Sequence, residues 1–133
     1  MKILLYILSF LFTCVVNVRN LLYKNNFLKK QQFKVPIISI GNISVGGTGK
    51  TPITIYLSKC LKKEGLKHVI ISRGYKKGGK GTLVVQDYKQ KHITDPAMAG
   101  DEPVLLSYKL SNVPVVVDSN KLRGIEFAIK KFK

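Results

Sequence analysis

The pattern of apolar and polar positions changes near residue 34. Residues 3–18 carry no charge and are almost continuously apolar, and the residues up to 34 mix basic with apolar side chains. From residue 35 onward, short β-branched runs alternate with segments whose apolar positions recur at helical spacing. We therefore expect a membrane-associated helical segment over residues 1–34 and a folded domain over residues 35–133.

The apolar segment at residues 3–18 has several interpretations. As a helix, its 16 residues would extend about 24 Å, which is less than a hydrocarbon core of about 30 Å. A secretory signal peptide lacks the expected small-x-small cleavage pattern, and the residues before Cys14 do not suit a lipoprotein signal. A core helix of a larger protein stays open as an alternative. We favour an uncleaved helix that lies on, or dips into, the inner face of a membrane.

The pattern after residue 35 predicts strands that alternate with helices. Strand-like apolar runs and a hairpin are expected at 35–40, 68–72, 82–94 and 113–118, and helices are expected at 51–65, within 99–110 and at 119–132. His68 and His92 fall on predicted strands, and we expect both to have structural roles. This order predicts an α/β domain with a mostly parallel sheet flanked by helices.

The charge balance points toward a polyanionic partner. The 133 residues contain 23 Lys and Arg against 7 Asp and Glu, for a net charge of +16. Nucleic acid, nucleotide phosphates or an anionic membrane would fit such a charge, although a lysine-rich composition with solvated surfaces explains it equally well. Cys14 and Cys60 belong to no CxxC or Cys/His cluster, which disfavours a disulfide framework and a structural zinc site.

The strongest local signal is a glycine-rich run between a predicted strand and a predicted helix. This context is the one that a phosphate-binding loop (P-loop) needs, because glycines let backbone N–H groups turn toward the phosphates. Lys50 would then reach the β- and γ-phosphates, and the Thr51 hydroxyl would ligate Mg²⁺. The expected nucleotide-binding residues are Ser44, Val45, Gly46, Gly47, Thr48, Gly49, Lys50 and Thr51.

Three other classes of protein explain the sequence less well. Membrane-associated P-loop ATPases of the partitioning type carry a lysine where this chain has Val45. A GTPase would need a base-reading tetrad of the NKxD kind, which the sequence lacks. A nucleic-acid-binding module would explain the charge, but the aromatic residues are not interleaved with a basic patch in a recognisable motif.

Four segments together resemble the N-terminal half of the tetraacyldisaccharide 4′-kinase family, which phosphorylates a lipid A precursor in Gram-negative bacteria. In chain order they are VPIISIGNISVGGTGKTP, ISRGYKK, AGDEP and VPVVVDSNKLRG. The resemblance implies a P-loop NTPase-like kinase on the cytoplasmic face of the inner membrane. It would use ATP and Mg²⁺ to phosphorylate the 4′-hydroxyl of tetraacyldisaccharide 1-phosphate. The implied partners are this lipid and an anionic membrane surface, with no nucleic acid.

The resemblance also assigns roles to individual residues. Asp101 matches the family's catalytic carboxylate, a general base that acts with a histidine, and Lys50 is the other catalytic residue. Glu102 and Thr51 would lie at the Mg²⁺ ion, although an acidic pair at 101–102 would equally offset the dipole of a helix N-terminus. Contacts with substrate or phosphate are expected from Asn42, Arg73 and Tyr75.

The family's kinases are more than twice as long as this sequence. They continue into a strand that ends in Asp-Asp-Gly, and neither this motif nor the histidine partner has a counterpart in residues 1–133. We therefore expect the kinase function of the intact protein, and little or no phosphate transfer by these 133 residues alone.

Overall fold

The computed structural model describes residues 2–28, 30–42, 47–74 and 81–132. The chain divides into two compact units, residues 1–39 and 40–133. Helices and strands follow in the order α1 (Lys2–Lys24), α2 (Lys50–Lys63), β1 (Ile70–Ser72), β2 (Leu83–Gln86), α3 (Pro96–Ala99), α4 (Asp101–Lys109), β3 (Val115–Val117) and α5 (Lys121–Phe132).

Helix α1 belongs to the first unit and is longer than the uncharged apolar run. It continues through Arg19, whose guanidinium lies 5.3 Å from the centre of the Tyr23 ring, and ends before Asn26, which has a positive φ of 59°. Its 23 residues extend about 34 Å and lie within the segment, residues 1–34, for which the sequence predicts helix. By length and composition alone, Ile3–Lys24 is able to cross a membrane, a property that it shares with N-terminal signal sequences.

The strand expected at residues 35–40 is absent from the structure, and that prediction was wrong. The segment has an irregular backbone, and Ile37 and Ile38 are 50% and 61% exposed. A strand persists through hydrogen bonds to a neighbouring strand. Within the described ranges, no other segment pairs with residues 35–40. A β-branched pattern indicates that a segment favours extended, buried backbone, but it does not show that a partner strand is present.

The second unit contains a three-stranded sheet with the order β1-β3-β2. Strand β1 pairs with β3 in parallel, with Ser72 opposite Val117, and β2 pairs with β3 antiparallel, with an irregularity between Val84 and Gln86. The expected α/β class is confirmed, with one parallel and one antiparallel pair in the described sheet. All three valines of β3 are fully buried because strands flank it on both edges and helices α4 and α5 pack near it.

One hydrophobic cluster, formed by β2, β3, helices α3 and α4 and the turn before β3, makes up the core of this unit. The Gln86 side-chain amide is buried beside the cluster and donates to the carbonyl oxygens of Leu110 and Val113, at 2.6 and 2.7 Å. These bonds hold the turn between α4 and β3 while satisfying a buried polar group. The cluster consists of Val85, Ala99, Val104, Leu106, Leu110, Val113, Val115 and Val117.

The sequence contains local helix-ending and helix-starting signals at α2 and α5. Gly65 has a positive φ of 70°, and the N–H groups of Gly65 and Leu66 close the end of α2 on the carbonyl oxygens of Lys62 and Leu61. At the start of α5, the Asn120 side chain accepts hydrogen bonds from the N–H groups of the second and third residues of the helix.

Both histidines lie outside the strands, which corrects the sequence-based placement. His68 precedes β1, where its Nε2 is 2.6 Å from the Ser58 hydroxyl and its Nδ1 is 3.0 Å from the Leu66 carbonyl oxygen. The hairpin expected at 82–94 consists of β2, a turn and a single antiparallel bridge between Gln86 and Lys91. His92 follows this hairpin turn, and its Nε2 is 2.8 Å from an Asp87 carboxylate oxygen. The contacts of both rings are with neighbouring structural elements, in keeping with the expected structural roles.

An ion pair closes the carboxyl end of β3. Asp118 is fully buried, and its carboxylate accepts hydrogen bonds from Nε and Nη2 of Arg123 at 2.8 and 2.7 Å. The Thr82 hydroxyl and the Asn120 backbone N–H also donate to this carboxylate. The bonds from Arg123, more than the others, hold the pKa of Asp118 well below its usual range. Asp118 therefore stays ionised and joins β3 to α5 and to the segment before β2.

Arg123→Ala is expected to destabilise the second unit because the buried Asp118 carboxylate would keep its charge and lose its bidentate partner. Urea denaturation followed by circular dichroism would measure the loss of stability. Lys121→Ala, at an exposed position on the same helix, is the control, with a change expected within about 0.5 kcal/mol. The Arg123→Ala effect should be at least about three times larger. Equal changes in the two variants would contradict a structural role for the ion pair.

The hairpin turn should weaken in acid through Asp87. Hydrogen bonds from the Gln90 backbone N–H, the His92 ring and the Lys89 backbone N–H lower the pKa of Asp87 from 3.8 to about 2. Since the folded-state pKa is depressed, this stabilisation is complete above about pH 5 and disappears as the pH falls toward 2. The unfolding free energy of the unaltered chain should exceed that of Asp87→Asn by about 1 kcal/mol at neutral pH. The same difference at pH 7 and pH 2 would refute this account.

Candidate nucleotide-binding site

The start of helix α2 has a left-handed residue and no side-chain cap. Gly49 has φ 80° and ψ 21°, in the left-handed region, and the helix begins at Lys50 with no side-chain cap. Space does not demand a glycine there, since a Cβ would meet nothing within 4 Å, but the positive φ does. The first N–H groups of a helix have no partner within it, and together with the helix dipole they favour a bound anion.

The start of helix α4 carries two carboxylates. Gly100 precedes the helix with φ 96°, and Asp101 and Glu102 occupy its exposed first turn. Val104 and Leu106, farther along α4, are buried in the core beside the sheet and fix the position of the helix. Negative side chains at this end of a helix are favoured by its dipole.

Glu102 connects the two helix starts to the sheet. Its Oε1 accepts a hydrogen bond from the Thr51 hydroxyl at 2.8 Å, and its Oε2 accepts one from the Ser72 hydroxyl at 3.3 Å. Ser72 is the last residue of β1, and the parallel strands β1 and β3 end at the same edge. The site therefore lies at the carboxyl ends of the parallel strands, where α/β proteins commonly bind their ligands.

The structure brings together some of the residues that the sequence singled out. Thr51 and Glu102, the expected metal residues, are in direct contact. Lys50 and Asp101 are exposed and are the chain neighbours of this pair, and Arg73 is exposed directly after Ser72. Gly47 and Thr48 lead into α2, and the exposed Asn42 lies in an irregular segment. The expected residues outside the described ranges are Ser44, Val45, Gly46 and Tyr75.

Sequence reasoning missed Ser72, the residue that joins β1 to this site. Its hydroxyl also accepts a hydrogen bond from the Gly74 backbone N–H at 3.4 Å, and its carbonyl oxygen accepts one from the Asp118 N–H at 3.0 Å. The available signal was its position at the end of a predicted strand, immediately before Arg73. The buried Asp118–Arg123 pair was also missed, although both residues fall in the segment VPVVVDSNKLRG.

The donor atoms of the site suit magnesium. Mg²⁺ prefers oxygen ligands and uses one or two protein groups together with phosphate oxygens and water. The Thr51 hydroxyl and the Glu102 carboxylate provide oxygen atoms of this kind beside the start of α2, which has no side-chain cap. Among the described residues, no group of three or more His, Cys, Asp or Glu side chains could hold a metal by itself. The arrangement fits a metal that arrives with a phosphate ligand.

The sequence model of the family described as "Tetraacyldisaccharide-1-P 4′-kinase" matches residues 1–133. The chain belongs to this family. It is 42% identical over 123 residues to the tetraacyldisaccharide 4′-kinase of Aquifex aeolicus, covering 92% of this chain and 38% of the relative. It is 41% identical over 132 residues to the kinase of Wigglesworthia glossinidia brevipalpis, covering 99% of this chain and 35% of that relative. The expected family is thus confirmed.

A solved structure of a family member agrees with the fold. The crystal structure of LpxK from Aquifex aeolicus in complex with ATP matches this chain with a TM-score of 0.78 and 44% sequence identity. The match covers 92% of this chain and 38% of the solved chain. The chain thus spans between a third and two fifths of the length of these relatives and corresponds to their N-terminal part.

Proposed function

We propose that this chain provides the nucleotide-binding part of a tetraacyldisaccharide 4′-kinase. The observation that carries the proposal is the Thr51–Glu102 hydrogen bond, which brings the start of the P-loop helix against the start of the AGDEP helix. The solved relative with 44% identity is a complex with ATP, which supports ATP as the nucleotide. The whole kinase would transfer the γ-phosphate to the 4′-hydroxyl of tetraacyldisaccharide 1-phosphate.

The residues of the site have complementary roles in this proposal. The N-terminal turn of α2 and the loop before it hold the phosphates by backbone N–H groups, and Lys50 neutralises the charge on the β- and γ-phosphates. Thr51 and Glu102 would hold Mg²⁺, which would supply positive charge to offset the charge of the phosphates. Asp101, exposed beside Glu102, accepts the proton of the attacking sugar hydroxyl.

The acceptor side of the proposal rests on the apolar and basic N-terminal segment. Helix α1 and the basic residues up to 34 would hold the protein on the cytoplasmic face of the inner membrane, next to its lipid substrate. Residues 35–133 would form the kinase domain. Arg73, Tyr75 and Asn42 would contact the lipid phosphate or shape the loop. The family match disfavours a partitioning ATPase and a nucleic-acid-binding module.

Lys50→Ala should weaken binding of ATP in the presence of Mg²⁺ by about tenfold or more, because a charge that contacts the phosphates is removed. Isothermal titration calorimetry on the 133-residue chain would measure the dissociation constant. The matched control is Lys59→Ala, at an exposed position on the same helix, which lowers the net charge equally. Equal weakening in both variants would show that the net charge of +16, and not the loop, attracts ATP.

Phosphate transfer tests the acceptor and the role of Asp101. The chain joined to the remaining length of the Aquifex aeolicus relative should transfer labelled phosphate from ATP to tetraacyldisaccharide 1-phosphate, and the 133-residue chain alone should transfer little or none. In the fusion, Asp101→Asn should reduce kcat by about 10²-fold or more while binding of ATP persists. Glu64→Gln, at an exposed position at the end of α2, should be neutral. A fusion that binds ATP and lipid but phosphorylates no sugar hydroxyl would contradict the proposed reaction.

A further inference from the structure

We propose that Ser72 is a positioning residue for the nucleotide-bound metal: it fixes the Glu102 carboxylate, which in turn orients the Thr51 hydroxyl. The inference rests on the proposed function, since it concerns the metal that accompanies the nucleotide. Ser72 is the first residue of the Ser-Arg-Gly-Tyr segment, and the proposed reaction assigns no role to it.

The geometry at Glu102 is a bridge with one donor on each carboxylate oxygen. Thr51 donates to Oε1 at 2.8 Å from α2, and Ser72 donates to Oε2 at 3.3 Å from the end of β1. The terminal torsion of a glutamate side chain is soft, so one hydrogen bond would leave the carboxylate plane free to turn. Two donors on separate structural elements fix both its position and its plane.

The direction of the Thr51 hydrogen bond matters for metal binding. A hydroxyl has one proton to donate and two lone pairs to offer. When the proton of Thr51 is directed to Glu102, its lone pairs are available to a cation on another side of the oxygen. Loss of the second anchor at Ser72 would let the carboxylate turn and release this orientation. Partners of this kind, one step removed from the metal, commonly change metal affinity by about 10- to 100-fold.

The backbone holds Ser72 firmly enough for this role. Its carbonyl oxygen accepts a hydrogen bond from the N–H of Asp118, and it pairs with Val117 in the parallel ladder. Asp118 is itself buried and held by Arg123. The Ser72 hydroxyl therefore extends toward Glu102 from a strand end that the sheet holds, and the N–H of Gly74 also donates to this hydroxyl at 3.4 Å.

The test compares ATP binding with Mg²⁺ and with EDTA, using calorimetry on the 133-residue chain. The ratio of the two dissociation constants measures how much Mg²⁺ strengthens binding. Ser72→Ala should reduce this ratio by about tenfold and leave the dissociation constant in EDTA and the melting temperature unchanged. Ser72→Thr, which keeps the hydroxyl and suits a strand, should restore the ratio to within about twofold. The control is Ser111→Ala, because this residue is exposed and the hydrogen bond that it accepts from Lys62 is made by its backbone carbonyl and not by its side chain.

A double-mutant cycle separates positioning from a general structural effect. If Ser72 acts through Glu102, Ser72→Ala should add no further loss of the Mg²⁺ ratio in a Glu102→Gln background. Should Ser72→Ala lose its melting transition, Ser72→Cys takes its place, because a thiol is a weaker donor and should lower the ratio in the same direction.

Several results would overturn the inference. They are an unchanged Mg²⁺ ratio in Ser72→Ala, an equal loss of affinity with and without Mg²⁺, and full additivity with Glu102→Gln. Binding of ATP that Mg²⁺ does not strengthen in the unaltered chain would also overturn it, and would leave nucleotide binding by the loop intact. Failure of the chain to bind ATP under either condition would overturn the proposed function as well.

Discussion

The second unit depends on the burial of strand β3. Its three valines have no exposed surface, because β1 and β2 occupy both of its hydrogen-bonding edges while helices pack near its faces. Burying an apolar strand in this way is the main favourable contribution available to a sheet of only ten residues. This burial also has a cost, because the next side chain, the Asp118 carboxylate, is charged and lies in the same buried environment. The four hydrogen bonds from Arg123, Thr82 and Asn120 meet that demand.

The candidate site follows from the same arrangement. In the parallel register Ser72 lies opposite Val117, so β1 and β3 end side by side. Helix α4 packs into the core through Leu106, which holds its first turn near that strand end. Glu102 then joins both to Thr51 at the start of α2. A site assembled from three elements in this way needs no large cavity, because its chemistry is carried by helix N-termini and by polar groups at strand ends.

The elements that the sequence predicted well are those whose signals are local. Gly65 ends α2 and Asn120 begins α5 because a glycine with positive φ and an amide cap are sufficient in themselves. Thr51 and Glu102 are 51 residues apart in the chain, so their contact is visible only from family resemblance or from the folded structure. The strand predicted at residues 35–40 was wrong for a related reason. An apolar, β-branched pattern favours extended backbone, but a strand forms only where a partner strand is available.

The net charge of +16 and the candidate site would recognise different features of a ligand: its overall negative charge and its bound cation. Charge on this scale attracts nucleotides, membranes and other polyanions alike, and salt screens the attraction. Of the seven carboxylates, Asp118 pairs with Arg123, Asp87 accepts hydrogen bonds within its own turn, and Asp95 caps α3 through the N–H of the second residue after it. Asp101 and Glu102 are placed instead at an exposed helix start beside the P-loop helix, where negative charge would weaken binding of a bare anion. They are compatible with an anion that brings a divalent cation. On the proposed function, the acidic pair would therefore favour a metal-bound nucleotide over other polyanions that the basic surface attracts.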